Sequence, residues 1–166
     1  MSSMFSRHGV VGLATFFLIN TVQAKPEQLP SVCVSLISST YPTWKTLTPH
    51  ADVLTWASAH KFNPVVATGD FDGNGQKDWA TLGSDGKNSK VILCMSVGNM
   101  KKIVVAEDGG CSDYIDSYRA KSSVLNYDTG KQEVLRRDVV ATSCFEKSGR
   151  VFILERGQFR VFFNSD

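Results

Sequence analysis

The chain has 166 residues, of which 42% are hydrophobic, and its 18 basic side chains nearly balance 16 acidic ones, leaving a formal net charge of +2. This length fits one ordinary domain. The small net charge argues against the broad basic surface that nucleic-acid binding needs, and charged residues at 20% with aromatic residues at 10% are unlike the composition of a disordered chain. We therefore expect a folded domain with no nucleic-acid partner.

The first 24 residues are organised like a secretory signal peptide. Arg7 precedes the apolar run Val10–Ile19, and the segment ends in Val22-Gln23-Ala24, a small-x-small cleavage site. A membrane anchor is the alternative, but a span needs about twenty apolar residues and this run has ten. We expect cleavage after Ala24. A single domain of residues 25–166 then remains in the periplasm or outside the cell, with no membrane span.

The four cysteines, Cys33, Cys94, Cys111 and Cys144, all lie in the part predicted to be exported. In an oxidising compartment an even number of cysteines indicates up to two disulfides, and three connectivities are open. A zinc site is disfavoured because no two cysteines lie within four residues of each other. A free nucleophilic cysteine is a weaker alternative, since thiols are oxidised in that compartment.

Two helices are predicted at the start of the mature chain. Leu29–Ile37 carries apolar residues at the i, i+3, i+4 spacing of a short amphipathic helix. Tyr41–Pro49 is predicted to be a turn and an extended connection that buries Trp44. Ala51–Lys61 is predicted to be the second helix, and Asn63-Pro64 ends it.

After Pro64 the sequence changes to short β-branched and aromatic runs separated by glycine, asparagine and aspartate. Such runs are typical of strands, and their close spacing favours antiparallel pairing. Asp108–Asp138 is predicted to be a long loop with one weak strand near Ser122–Leu125. The expected fold class is α+β, with N-terminal short helices followed by an antiparallel β-meander sheet. The predicted strands are Val65–Thr68, Trp79–Leu82, Lys90–Ser96, Lys101–Glu107, Val139–Phe145, Arg150–Glu155 and Phe159–Phe163.

The loop between the first two predicted strands has the spacing of a calcium site. Residues 69 to 78 read Gly-Asp-Phe-Asp-Gly-Asn-Gly-Gln-Lys-Asp, so that oxygen-bearing side chains occupy positions 1, 3, 5 and 9: Asp70, Asp72, Asn74 and Asp78. Calcium takes about six to eight oxygens, and alternate residues of a curled loop supply them compactly. Gly75 permits the curl, and the carbonyl of Gln76 can point inward. The alternative is a metal-free surface turn, because Asp, Asn and Gly favour turns in any case.

The segment Val66–Ala80 resembles the calcium-loop core of an FG-GAP or VCBS-type repeat, in which an aspartate loop joins two strands. The resemblance implies Ca²⁺ as the cofactor, held by the side chains of Asp70, Asp72, Asn74 and Asp78 and the carbonyl of Gln76. Asn74, where the family often has Asp, is expected to weaken binding. Thr81 replaces the bidentate glutamate of an EF-hand, so the loop is EF-hand-like but incomplete. A single copy is too little for the propeller of that family.

The mature chain as a whole is similar, more loosely, to small exported bacterial proteins of unknown function. Tyr41-Pro42-Thr43-Trp44 and the ending Phe145–Asp166 carry that similarity. It implies an architecture and a metal, but no reaction.

No catalytic motif is apparent in the mature sequence. His50 and His60 lie ten residues apart, without the spacing of a helical metal pair. The segment from Asp113 to Tyr118 combines two acids, Asp113 and Asp116, with two tyrosines, but a solvated loop is the simpler interpretation. The sequence also lacks a Gly-x-Ser-x-Gly elbow and a phosphate-binding Gly-rich loop. We therefore expect no enzymatic activity.

Three functions fit these observations. The leading hypothesis is an exported, calcium-binding, non-enzymatic monomer with a binding or structural role in the cell envelope, where its partners are a calcium ion and, in the binding role, an envelope protein. The second is a periplasmic inhibitor or immunity-type protein that acts against an envelope-acting enzyme. The third is a metal-assisted hydrolase that combines the calcium loop with the acidic patch from Asp113 to Tyr118.

Overall fold

The computed structural model describes residues 27–108, 112–145 and 147–165. Strands make up 47% of the described structure and helices 15%. The predicted α+β class is therefore wrong, because the described chain is predominantly β, with antiparallel sheets. The predicted signal peptide, residues 1–24, lies outside the described residues, and so does Cys111.

Two ten-residue helices precede most of the strands. Helix α1 spans Ser31–Thr40 and helix α2 spans Ala51–His60. Each helix buries only two side chains, so the helices contribute little to the core. This is the physical reason for the correction, since the strands supply most of the buried apolar surface. Among the described residues, no helix has the length and apolar character needed to cross a membrane.

The strands of the described residues form three antiparallel sheets. They are β1 (Lys45–Thr46), β2 (Val66–Gly69), β3 (Asp78–Ser84), β4 (Ser89–Val97), β5 (Met100–Glu107), β6 (Tyr114–Tyr118), β7 (Ser123–Asn126), β8 (Lys131–Val134), β9 (Val139–Ser143), β10 (Ser148–Glu155) and β11 (Gln158–Ser165). In the first sheet β4 pairs along one edge of β3, while β1 and β2 pair with opposite ends of its other edge, and β5 adds beyond β4. The second sheet has the order β11-β10-β9-β6, and β7 with β8 forms a separate hairpin.

The predicted single meander is wrong as well. The stretch Asp108–Asp138, predicted to be a long loop with one weak strand near Ser122–Leu125, contains three strands, β6, β7 and β8. Strand β7 lies where the weak strand is predicted, whereas β6 and β8 are not predicted. Strand β6 skips the hairpin that follows it and pairs with β9, so the order of the second sheet departs from the order of the chain. These three strands are only four or five residues long and carry exposed polar positions, which gives them a weak sequence pattern.

Apolar side chains pack on both faces of the second sheet. Residues of β10 alternate, so that Phe152 and Leu154 pack in one core cluster with side chains of the first sheet. Val151 and Ile153 point the other way and pack with Val124 of the β7–β8 hairpin. The structure therefore has three layers, the first sheet, the second sheet and the hairpin, with an apolar core in each interface.

Two further contacts join the first sheet, the second sheet and the helices. A disulfide between Cys33 and Cys94 fastens α1 to β4. The amide of Ile115 in β6 donates to the carbonyl of Pro64, just before β2, at 2.9 Å. Strand β2 therefore runs beside the edge of the second sheet, and the loop that follows β2 lies where the two sheets meet.

Candidate metal centre

The candidate loop joins β2 to β3, which are antiparallel neighbours with Gly69 opposite Asp78. Eight residues, 70 to 77, connect the two strands. Gly73 and Gly75 adopt positive φ angles of 79° and 81°, which a side chain would oppose. The two glycines let the chain curl inward so that alternate side chains point towards one centre.

Three carboxylates converge inside this loop. One oxygen each from Asp70, Asp72 and Asp78 lies within 4.8 Å of the other two. Within the described ranges, no lysine, arginine or histidine forms an ion pair with any of the three. Their negative charge is therefore concentrated and uncompensated by a protein cation, as a cation site requires.

Asp78 anchors the loop to the sheet and is fully buried, with 0% exposure. Its carboxylate accepts hydrogen bonds from the amide of Phe71 at 3.0 Å and from the amide of Ser96, in β4, at 2.7 Å. Burial raises the pKa of Asp78 above its usual value, and the negative charge of Asp72 acts in the same direction, although the amides of Ser96, Phe71 and Asp72 oppose the shift. Removing this carboxylate from water therefore has a cost that its hydrogen bonds do not fully offset.

The two carboxylate oxygens of Asp70 differ in their hydrogen bonding. Its Oδ2 accepts a hydrogen bond from the amide of Gly75 at 2.9 Å. Its Oδ1 is buried and has no hydrogen-bond partner among the described residues. A buried carboxylate oxygen without a partner is costly, and a metal ion is a partner that would satisfy it.

Asp72 and Asn74 form a turn that closes the far end of the loop. The amide of Asn74 donates to Asp72 Oδ1 at 3.0 Å, and its side-chain Nδ2 donates to Asp72 Oδ2 at 2.9 Å and to the carbonyl of Ser96 at 2.6 Å. Asn74 Oδ1 accepts from the amide of Gln76 at 2.7 Å. Both residues thus belong to the loop network, and their predicted roles as ligands stay predictions.

The side chains of Arg137 and Asp138 support the loop from the second sheet. Arg137 Nη1 donates to the carbonyl of Asp72 at 2.7 Å, and Asp138 Oδ2 accepts the amide of Asp70 at 3.1 Å. Gly69 makes this approach feasible, because a Cβ there would lie 2.9 Å from the Cβ of Asp138. The sequence predicts no role at the loop for either residue. Only the run of charges Arg136-Arg137-Asp138 marks them, and it contains nothing that points to the loop.

Asp138 is held in its ionised form. Burial opposes ionisation, but hydrogen bonds from the amides of Ala120 and Asp70 and from the side chain of Arg119 outweigh it and lower the pKa of Asp138. Burial therefore acts in the same direction on the pKa of Asp78 and of Asp138, but the hydrogen bonds outweigh it only at Asp138. Asp138 is satisfied by protein donors, whereas Asp78 retains an unfavourable charge inside the loop.

Trp79 provides a spectroscopic probe beside the loop, since it directly follows Asp78. The ammonium group of Lys101 lies 4.5 Å from the centre of its ring, and that of Lys77 lies 5.8 Å away. The indole therefore lies close to two cations and next in sequence to Asp78. Its fluorescence is expected to report on changes in the loop.

The acidic patch of the hydrolase alternative and the two histidines lie elsewhere in the structure. Asp113 accepts the amide of Phe145 at 2.8 Å and has an oxygen 3.8 Å from His50 Nε2. His60 Nδ1 lies 2.8 Å from the carbonyl of Trp56 in its own helix. The bonds that the structure records for Asp113 lead to α2 and the second sheet, and do not involve the loop carboxylates.

The cysteines agree in part with the expected disulfides. Cys33 and Cys94 are bonded to each other, and Cys144 also takes part in a disulfide. The structure thus selects Cys33–Cys94 from the open connectivities, on the basis of the packing of α1 against the first sheet.

No protein-family model, curated protein or solved structure matches this chain. The resemblance to FG-GAP and VCBS-type repeats therefore stays a prediction from the loop sequence.

Proposed function

We propose that the β2–β3 loop binds one calcium ion and that the protein is an exported, non-enzymatic calcium-binding domain with a structural or binding role in the cell envelope. The observation that carries the proposal is the buried, unpartnered Oδ1 of Asp70. Its carboxylate lies with those of Asp72 and Asp78 in a cluster within 4.8 Å. A cation at the centre of this cluster satisfies the orphaned oxygen and neutralises the repulsion at once.

The chemistry of the donors favours calcium over softer metals. All three converging groups are carboxylates, and no cysteine or histidine joins the cluster in the described part of the chain. Oxygen-only sites suit hard cations, and a glycine-containing loop adapts to the larger and less regular coordination of Ca²⁺ more easily than to the strict octahedron of Mg²⁺. Loop carbonyls and water complete the coordination.

A structural role follows from what the carboxylates hold. Asp78 connects the loop to β4 through the amide of Ser96, and the amide of Asp70 connects it to Asp138 at the start of the second sheet. An ion that fixes Asp70 and Asp78 together therefore fastens the junction between the two sheets. Folding and binding are coupled in such a site, so the ion stabilises the domain.

Export is consistent with both the disulfides and the expected affinity. Disulfides such as Cys33–Cys94 persist in oxidising compartments. Extracellular calcium modules bind with dissociation constants of about 10⁻⁴ to 10⁻³ M, which suits a compartment with millimolar calcium and not the cytosol.

Isothermal titration of the chelator-stripped protein with CaCl₂ tests the proposal. We expect one site per chain in the wild type and no measurable binding in D70N, which removes the unpartnered oxygen's charge. D128N is the matched control, because Asp128 is an exposed acid in the turn between β7 and β8. Terbium luminescence sensitised by Trp79 gives a second readout of the same site. If the wild type binds no calcium at 10 mM, or if D70N and D128N bind equally, the proposal is wrong.

A further inference from the structure

A cleft of about 770 Å³ lies on the outer face of the second sheet, away from the first sheet. The β7–β8 hairpin covers one end of this face, and the cleft opens over the other end, where Ile153 pairs with Arg160 and Glu155 with Gln158. Its volume falls within the range of about 300 to 1,000 Å³ that is typical of small-molecule sites. The cleft does not include the three loop carboxylates.

The walls of the cleft carry an excess of positive charge. Four arginines and two glutamates line it, which leaves a formal charge of +2. Arg160 is neutralised, because it donates to Glu133 through both terminal nitrogens, at 3.1 and 2.8 Å, and to Glu155 through Nε at 3.2 Å. Arg136 and Arg156 have no carboxylate partner among the described residues, so their guanidinium groups are available to a ligand.

Arg156 occupies a backbone position that does not suit arginine. It is the first residue of the two-residue turn between β10 and β11, with φ of 51°, followed by Gly157 with φ of 82°. Asn, Asp or Gly is favoured at such a position, and another side chain costs about 1 kcal/mol. Residues that oppose the local preference are expected at functional sites. Here the unfavourable residue places a guanidinium group at the rim of the cleft.

The cleft also has an apolar wall. Val134 is 68% exposed, although it is an aliphatic residue in a strand, and it lines the cleft together with Leu135 and Ile153, which are buried. Because contact with an apolar group would remove this surface from water, the binding of such a group to Val134 is favoured. A ligand that matches both features combines an anionic head with an apolar portion.

We infer that this cleft binds an amphipathic oxyanion, a molecule with a phosphate or carboxylate head held by Arg136 and Arg156 and an apolar chain or ring that lies on Val134. A guanidinium group binds a phosphate or a carboxylate through two parallel N–H donors. The two arginines therefore select an oxyanion, and both kinds of head group fit. Arg137 lines the same cleft but uses Nη1 to hold the carbonyl of Asp72. The inference is independent of calcium binding.

Titration calorimetry with decyl phosphate, decanoate and inorganic phosphate tests this inference, in chelator and at 50 mM NaCl so that calcium plays no part. We expect decyl phosphate or decanoate to bind the wild type at least tenfold more tightly than R136A/R156A. The relative affinities of the two probes identify the preferred head group. The K87A/K102A variant removes two exposed positive charges from the first sheet and should bind like the wild type.

A single substitution, R156N, separates a binding role from a structural one. Asparagine suits the turn conformation, so we expect R156N to unfold at a higher temperature than the wild type and to bind decyl phosphate more weakly. Unchanged affinity in R136A/R156A and R156N, or no binding by the wild type at 1 mM probe, would overturn the inference. If inorganic phosphate binds as tightly as decyl phosphate, the apolar half of the inference is wrong.

Discussion

Replacing Asp70 by asparagine is expected to change stability in opposite directions with and without calcium. The substitution removes two of the three repulsions among carboxylates that lie within 4.8 Å of one another. At that distance each repulsion is about 0.9 kcal/mol in a medium with the dielectric constant of water, so about 2 kcal/mol is relieved in the metal-free protein. The asparagine keeps an acceptor for the amide of Gly75, but this hydrogen bond loses its charge at a cost of about 1 kcal/mol. D70N should therefore be about 1 kcal/mol more stable than the wild type in chelator.

Calcium reverses this order. At a calcium concentration a hundred times the dissociation constant, the wild type gains about 2.7 kcal/mol, whereas D70N gains nothing. For a constant of about 10⁻⁴ M this concentration is about 10 mM. Urea denaturation of both proteins in EDTA and in 10 mM CaCl₂ measures the four free energies of unfolding, and D128N should match the wild type in both. If D70N is the less stable protein in EDTA, or gains as much from calcium as the wild type, the three carboxylates do not act as a calcium site.

Two further predictions concern the burial of Asp78 and the disulfide. Because the pKa of Asp78 is raised in the folded protein, the metal-free form should lose stability as the pH rises from the unfolded value of 3.8 through the folded pKa. Calcium binds the ionised carboxylate and should therefore reduce this loss. Urea denaturation across pH 4 to 7, with and without calcium, measures the free energy of unfolding at each pH. If this free energy falls with pH as steeply in D78N as in the wild type, Asp78 is not the source of the loss. The Cys33–Cys94 disulfide joins residues 61 apart, and a loop of this length contributes about 4 kcal/mol by restricting the unfolded chain. C33A/C94A should lose stability of that order, and a loss below about 1 kcal/mol contradicts the estimate.

The loop could be located from the sequence because its defining contacts are local. Asp72 binds Asn74 two residues on, Asp70 binds Gly75 five residues on, and Asp78 binds Phe71 seven residues back. Such contacts depend only on the types and spacing of residues within one short segment. Both can be read directly from the sequence. The positive φ angles at the loop glycines follow from the same local requirement.

The fold class could not be predicted in the same way, because it depends on non-local pairing. Strands β6, β7 and β8 are short and partly polar, and burial against the rest of the protein decides that they form. The pairing of β6 with β9 bridges the intervening hairpin. The support of the loop by Arg137 and Asp138 is equally non-local, since their hydrogen bonds reach partners 65 and 68 residues away.

The net charge of the chain does not indicate either the carboxylate loop or the arginine-lined cleft. The formal net charge of +2 is a sum over the whole chain. In this sum the three clustered acids of the loop offset the two positive charges by which the arginines of the cleft exceed its glutamates. Arg137 lies between them, with its Nη1 on the carbonyl of Asp72 and its side chain lining the cleft. The acids are close together in sequence, so spacing reveals them. The arginines come from the segment after β8 and from the β10–β11 hairpin, and only the packing of the β7–β8 hairpin on the second sheet brings them together.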